Sequence, residues 1–444
     1  MNADARRLVP IDGVDPSPGP AGVRRRAPFA DNPSVGRRGR QTRQRIVEAT
    51  VEVLSDEGYH RCSVDRITSR AGCSRVAFYQ YFSNRDDVLR HLGADVARQV
   101  QEIVDRLDPV TPDARGWDSI RAWVSAYGDI YERYGGLFHA LEAAIDSTED
   151  VAAIRAGIVA RNVAQIRSKL ADSALAVPHL DAVLELLTET IGRAHTMVGI
   201  MRTAAPHGFP RTELEDSLTD VVHRTLFGID PAVNVRAAVN PAPPIGLDES
   251  LARLLRQDPA PTPGDGTSTL DALLEAGRST LLARGYFATR VDDVVSAAGV
   301  SHGAFYRYFA NKADFTRVLV VSAMRPLWTT MLELPPADAG TTPSRADLRR
   351  WLQRFNRVRV EDAAVFGVWM DAALHDPAFS VDAAGALDWS RRRSARVLRD
   401  RGFGAGDADA IVFSALLTAY GSRRADAAFT EATADVIEHG LLGR

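Results

Sequence analysis

The sequence predicts an all-α protein made of two tandem helical units in one chain of 444 residues. Three observations carry this expectation. Apolar residues recur at helical spacing from about residue 40 to residue 227 and again from about residue 269, and no long alternating run competes with them. A Pro- and Gly-rich stretch over residues 231–268 (PAVNVRAAVNPAPPIG, then DPAPTPGDGTST) interrupts the pattern. Beyond it the pattern returns. Residues 273–319 lie over residues 46–92 without a gap, at an offset of 227, with about twenty of the forty-seven positions identical.

Taken in order, residues 1–36 are rich in Pro, Gly, Ala and Arg without periodicity, which predicts a disordered basic arm. Between residues 24 and 45 lie eight arginines (Arg24, Arg25, Arg26, Arg37, Arg38, Arg40, Arg43 and Arg45) against one acid, Asp31. That is an electrostatic footprint for phosphate hidden by the overall net charge of −3. A first helix is expected from about Arg40 to Glu57, packed through Ile46, Ala49, Thr50, Val53 and Leu54, with Gly58 ending it. Ser63 is placed to cap a short helix, Val64 to Arg70, and Ala71-Gly72-Cys73 makes a tight turn. Ser74 caps a second helix expected to reach about Phe82, polar at its start (Ser74, Arg75) and aromatic at its end (Phe78, Tyr79, Tyr81, Phe82). This is a helix-turn-helix pattern. Amphipathic helices follow from Asp86 to about Leu107, then at 117–134, 136–145, 149–172, 179–203 and 212–227, with a short one at 247–257 inside the linker.

The second copy repeats Gly58-Tyr59 as Gly285-Tyr286, Val64-Asp65 as Val291-Asp292, and the turn as Ala298-Gly299-Val300-Ser301. Trp123, Tyr127 and Phe138 line up with Trp351, Phe355 and Phe366, so the duplication extends past the helix-turn-helix. The expected division is an arm (1–36), a first helix-turn-helix domain (37–92), a first helical body (93–230), a linker (231–268), a second helix-turn-helix domain (269–319) and a second helical body (320–444).

The ordered set Gly58-Tyr59, Val64-x-x-Ile67, Ala71-Gly72-x-Ser74 and Phe78-Tyr79-x-Tyr81-Phe82-x-Asn84-Arg85 closely resembles the DNA-binding domain of the tetracycline-repressor (TetR) family of bacterial transcription regulators. The resemblance is specific over both helix-turn-helix parts and architectural over the remainder. It implies that the start of the recognition helix reads the major groove, while the helix-end tyrosine and the following lysine hold phosphates. By position it assigns DNA contacts to Ser63, Ser74, Arg75 and Tyr79, with Arg85 in the lysine position, and in the second unit to Thr289, Ser301, His302, Tyr306 and Lys312. The basic residues Arg37, Arg38, Arg40 and Arg43 suit phosphate or an adjacent minor groove.

The resemblance further implies pairing through the last two helices of each unit, here Leu180–Arg202 with Glu213–Phe227 and Asp409–Phe429 with Glu431–Leu442. Two arrangements fit: an intrachain pseudo-dimer, or a homodimer carrying four heads. The remaining helices of each body are expected to enclose a small apolar effector. Trp123, Tyr127 and Phe138 in the first body, and Trp351, Phe355, Phe366 and Trp369 in the second, are the candidate lining residues. An aromatic stripe at helical spacing is also what plain core looks like.

The two readers differ, Ser-Arg-Val-Ala against Ser-His-Gly-Ala, and the second head lacks a basic arm. Unequal heads favour an imperfectly palindromic or asymmetric operator in double-stranded DNA. A regulator whose second unit is structural, and a non-specific nucleoid-type binder, are the competing readings. An enzyme is not expected, because no phosphate-binding loop, metal-ligand histidine pair or nucleophile elbow occurs; neither a metal nor a cofactor is implied. No apolar run is long enough to span a membrane and no secretion signal is seen at the N-terminus, so a cytoplasmic location is expected. The two cysteines, Cys62 and Cys73, read as reduced structural thiols, with a redox switch at Cys73 as the sharper alternative.

Overall fold

The computed structural model describes residues 37–59, 61–145, 149–170, 177–204, 209–230, 233, 266–334, 344–400, 406–421 and 426–442. The expected arm at 1–36 and the expected helix at 247–257 lie outside them. Among the described residues the regular elements are all helices, with one isolated bridge between Val110 and Leu170.

The first unit comprises α1 (Arg37–Glu57), α2 (Val64–Ala71), α3 (Arg75–Tyr79), α4 (Arg85–Asp105), α5 (Ala114–Ile145), α6 (Glu149–Lys169), α7 (Leu180–Ala204) and α8 (Arg211–Phe227). The second comprises α9 (Gly266–Ala288), α10 (Val291–Ala298), α11 (His302–Tyr308), α12 (Lys312–Leu332), α13 (Arg345–Glu361), α14 (Ala363–His375), α15 (Pro377–Asp400), α16 (Asp407–Gly421) and α17 (Ala427–Asp435), which runs into a π-helical turn, Val436–Leu441.

Three elements differ from expectation for identifiable reasons. Helix α1 begins at Arg37 rather than Arg40, so Arg37, Arg38 and Arg40 project from a helix. Helix α3 ends at Tyr79, not Phe82. Fully buried Phe78 and Phe82 pin both sides of a turn in which the Tyr81 amide donates to the Phe78 carbonyl at 2.9 Å. The two helices expected at 117–134 and 136–145 are one, bent at Tyr134 (φ −119°, ψ 16°). Its start moves back to Ala114 because Asp113 Oδ1 accepts the amides of Arg115 (3.2 Å) and Gly116 (3.3 Å), which satisfies free first-turn donors.

Packing places the heads. Gly136, just after the bend, lets α5 lie directly on α1: a Cβ there would sit 2.8 Å from the Leu54 carbonyl. The first head is built on Ile46, Val53, Leu54, Ile67, Phe78 and Phe82, all fully buried and continuous with the core of the helical bodies. The second head has its own cluster, including Leu273, Val294, Phe305, Phe309 and Phe315.

The two units meet through α7 and α8 of the first against α15, α16, α17 and the π-helical turn of the second. These are, with α15 added, the segments the resemblance assigned to pairing. Apolar residues continue across the seam, with Leu218 and Val221 in the same buried cluster as Phe413, Leu416 and Ile437. A buried polar contact crosses it, from Ser217 Oγ to Asp409 Oδ1 at 2.5 Å.

Candidate nucleic-acid interface

Both recognition helices are set by the same local chemistry. Gly72 (φ 60°) and Gly299 (φ 66°) end α2 and α10 in the left-handed region, where a side chain costs about 1–2 kcal/mol. Ser74 Oγ then accepts the Ala77 amide at 3.1 Å, and Ser301 Oγ accepts the Ala304 amide at 3.2 Å. Both serines therefore cap their helices, with their hydroxyls exposed. Buried Phe78 and Phe305 lock each helix down from its inner face. Asn84 and Asn311 cap the helix that follows, accepting amides at 2.8 and 2.9 Å.

The outer face is thereby fixed. Val76 is 72% exposed, Tyr79 51% and Tyr306 56%. A large aliphatic side chain and a tyrosine left in water on one rigid turn form a surface that nothing in the fold uses. Arg75 and His302 flank it, and each is held by an acid on the preceding helix. Arg75 Nε lies 2.6 Å from Asp65, and His302 Nε2 lies 3.2 Å from Asp292. The paired acids were not singled out from the sequence, although the repeat carries them at matching positions. Arg37, Arg38 and Arg40 are exposed at the start of α1, and Arg43 stacks over Phe82 at 5.6 Å.

Some expected contacts are placed otherwise. Thr289 is 1% exposed, and its hydroxyl donates to the Gly285 carbonyl at 2.7 Å, so it faces the interior. The gapless register puts Arg290, not Thr289, opposite Ser63, and Arg290 begins α10 with its amide donating to Asp293 at 2.9 Å. Ser63 itself is exposed and caps α2 through the Arg66 amide at 3.3 Å.

Arg85 and Lys312 form matching internal clamps. Arg85 donates to the Cys62 carbonyl (3.4 Å) and to Tyr59 Oη (3.0 Å), and lies 4.5 Å over the Tyr59 ring. Lys312 donates to the carbonyls of Thr289 (2.9 Å) and Tyr286 (2.8 Å), and lies 4.2 Å over the Tyr286 ring. Burial and the neighbouring Arg61 guanidinium hold the Lys312 ammonium below its ordinary pKa. These cations fix the loop ahead of the helix-turn-helix in both heads.

The heads also touch across the units. The Arg61 guanidinium of the first stacks on the Phe287 ring of the second at 4.1 Å. His375, at the end of α14, reaches the Leu54 carbonyl of α1 at 3.1 Å. Gly58 (φ 79°) is required beneath it: a Cβ there would lie 2.8 Å from the imidazole.

The candidate ligand aromatics are packed into core. Trp123, Tyr127, Trp351 and Phe355 are buried in the large cluster, Phe138 packs on it, and Phe366 and Trp369 belong to the cluster of the second body. Of the seven, Trp123 lines a described apolar cavity of about 20 Å³, beside Leu107, Ile120, Leu184, Leu187 and Val222. That is room for little more than one water. The buried indole Nε1 of Trp123 has no hydrogen-bond partner, whereas its counterpart Trp351 donates to the Thr330 carbonyl at 2.7 Å. The two bodies are therefore not chemically equivalent.

Asp435, Glu438 and His439 come together at the π-helical turn, but Arg345 lies 2.6 Å from Asp435 and 2.8 Å from Glu438, supplying the counter-charge. Cys62 is buried and its thiol is pushed up to about 11; burial also raises Cys73. Both are poor thiolates at neutral pH, which fits the structural reading.

The family model for bacterial regulatory proteins of the tetR family matches residues 46–92 and 273–317. Among curated proteins, the transcriptional regulator AcuR of Cereibacter sphaeroides is 31% identical over 146 residues, covering 31% of this chain and 64% of that protein. The transcriptional activator FasR of Mycolicibacterium smegmatis is 33% identical over 93 residues, 21% of this chain and 41% of its own length. The fatty acid metabolism regulator protein of Bacillus subtilis is 32% identical over 66 residues, 14% of this chain and 34% of its own. The chain thus spans between about one third and two thirds of the length of these relatives.

Proposed function

Since this chain is a tandem member of the tetR family of bacterial regulatory proteins, we propose that it is a cytoplasmic, sequence-specific regulator of transcription acting as an intrachain pseudo-dimer. The observation that carries this reading is the pair of exposed recognition faces, Arg75-Val76-Tyr79 and His302-Tyr306, each fixed from behind by a buried phenylalanine. Base contacts fall to the starts of α3 and α11, through Ser74, Arg75, Ser301 and His302. Phosphate contacts fall to Ser63, Tyr79, Tyr306 and the arginines of α1. Two unequal faces fit an asymmetric or imperfectly palindromic operator, because half-sites mirror the symmetry of the protein that reads them.

Ligand control follows the same asymmetry. The unpaired Trp123 indole in an apolar cavity supports an apolar effector with one acceptor atom in the first body. A cavity of about 20 Å³ is far below the several hundred a drug-sized ligand needs, so α5, α7 and α8 must part to admit one. Because α5 lies on α1 at Gly136, that movement reaches the first head. A repressor released by its ligand is the simplest outcome.

Footprinting on the DNA upstream of the protein's own gene tests the reading, comparing wild type with Tyr306→Ala and Tyr79→Ala. Each variant is expected to lose protection on one side of the site. Unchanged protection by Tyr306→Ala makes the second unit structural, and equal affinity for random DNA favours a non-specific binder.

A further inference from the structure

The duplicated bodies contain one niche in two chemical versions. In the first body Tyr131 stacks flat on Phe138, with ring centroids 4.3 Å apart, and presses its hydroxyl against Gly192, where a Cβ would lie 2.6 Å away. In the second body the same seven-residue spacing joins Arg359 to Phe366. The guanidinium carbon lies 4.1 Å over the ring, and the side chain presses against Gly421, where a Cβ would lie 2.5 Å from Arg359 Cγ. A neutral phenol on α5 has become a cation on α13.

That cation has no counter-ion among the described residues. Among the described residues no carboxylate lies within ion-pair distance of Arg359, and its buried Nη1 has no hydrogen-bond partner. The acid that acts on it, Asp362, is paired with Arg278 at 2.8 Å. A second cation, Arg193 of α7, adds repulsion from across the unit seam. Burial and Arg193 together hold the Arg359 guanidinium below its ordinary pKa. A protein tolerates a part-buried charge without a counter-ion poorly, and one kind of partner would answer both the charge and the aromatic floor.

We propose that Arg359, on the floor formed by Phe366 and beside Phe355, binds the anionic head of an organic acid with an apolar body. This deepens the effector reading by giving the second body its own ligand class. It rests on that reading only for the step from occupancy to DNA, so the test reads binding without DNA.

The full-length protein is titrated with decanoate and 2-naphthoate, and with their neutral counterparts decanol and 2-naphthol, by calorimetry and thermal shift. Wild type is compared with Arg359→Met and with Tyr131→Phe. The expected result is saturable binding of at least one acid, weakened tenfold or more in Arg359→Met and unchanged in Tyr131→Phe, with the neutral compounds insensitive to either change. Unliganded Arg359→Met should melt no lower than wild type, since it sheds a cation without a partner. Equal affinity of wild type and Arg359→Met for both acids overturns the proposal, as does the absence of saturable binding by either. A clear loss of melting temperature in unliganded Arg359→Met also overturns it, by making the residue a packing element. Operator binding by the same proteins is measured separately, so failure here leaves the DNA-binding reading intact.

Discussion

Replacing Gly58 by alanine should loosen the first head from the second unit. The residue sits at φ 79°, in the left-handed region, where an alanine costs about 1–2 kcal/mol. The added Cβ also lies 2.8 Å from the His375 ring, so the imidazole must move and give up its hydrogen bond to the Leu54 carbonyl, a net loss of about 1 kcal/mol. Together these give about 2–3 kcal/mol. Hydrogen exchange read by mass spectrometry over residues 50–62 is the suitable assay, because the effect is local opening at the end of α1. Exchange there should quicken roughly thirty- to a hundred-and-fortyfold. In a His375→Ala background Gly58→Ala should retain only its backbone cost, with a coupling of about 1 kcal/mol between the two changes. Equal costs in both backgrounds would refute the claim that His375 seats the first head.

Other expectations concern the seam, the readers and the buried thiol. Gly440→Val should push the π-helical turn off α8, since even a Cβ there meets the Val221 carbonyl at 2.9 Å and the Thr225 hydroxyl; overpacking of this kind costs about 1–3 kcal/mol and should appear as a lower melting temperature. Asp65→Asn should release Arg75 from its carboxylate, raising affinity for random DNA a few-fold and steepening the salt dependence by about one phosphate; an unchanged slope counts against the pairing. Cys62 gives an alkaline limb to stability. Its thiol ionises near 11 when folded against an ordinary 9.0, so the unfolded chain loses the proton first and stability falls as pH rises from about 9 to 11. The full loss is about 2–3 kcal/mol, and urea denaturation of Cys62→Ala should show a shallower decline over that range.

The helices and the duplication were legible because both rest on local pattern. Caps such as Ser63 and Ser74 announce themselves by residue type, and the repeat by identity at fixed offset. The roles of Arg85 and Lys312 were not legible. A cation beside a helix start can face phosphate or turn inward to a carbonyl, and the choice depends on where residues 62 and 289 lie in space. Thr289 failed for a simpler reason, a one-residue slip against the repeat that moved a buried threonine into the place of a cap. The bend at Tyr134 was visible as Gly135-Gly136, but its meaning as the point where α5 meets α1 depends on a partner eighty residues upstream. The ligand residues were the least readable, since a packed aromatic and a pocket wall share one periodicity. What separates Trp123 from Trp351 is a single hydrogen bond, which no sequence pattern states.

The seam of α7 and α8 against α15, α16, α17 and the π-helical turn lies within one polypeptide. Its formation is therefore a first-order event, insensitive to how many copies of the protein a cell holds, whereas two-chain assembly weakens on dilution. Each half can also vary separately. A substitution in one recognition helix changes one head and leaves the other as it was, which no symmetric pair of identical chains permits. His302 opposite Arg75, and Arg359 opposite Tyr131, are the divergence that such freedom allows.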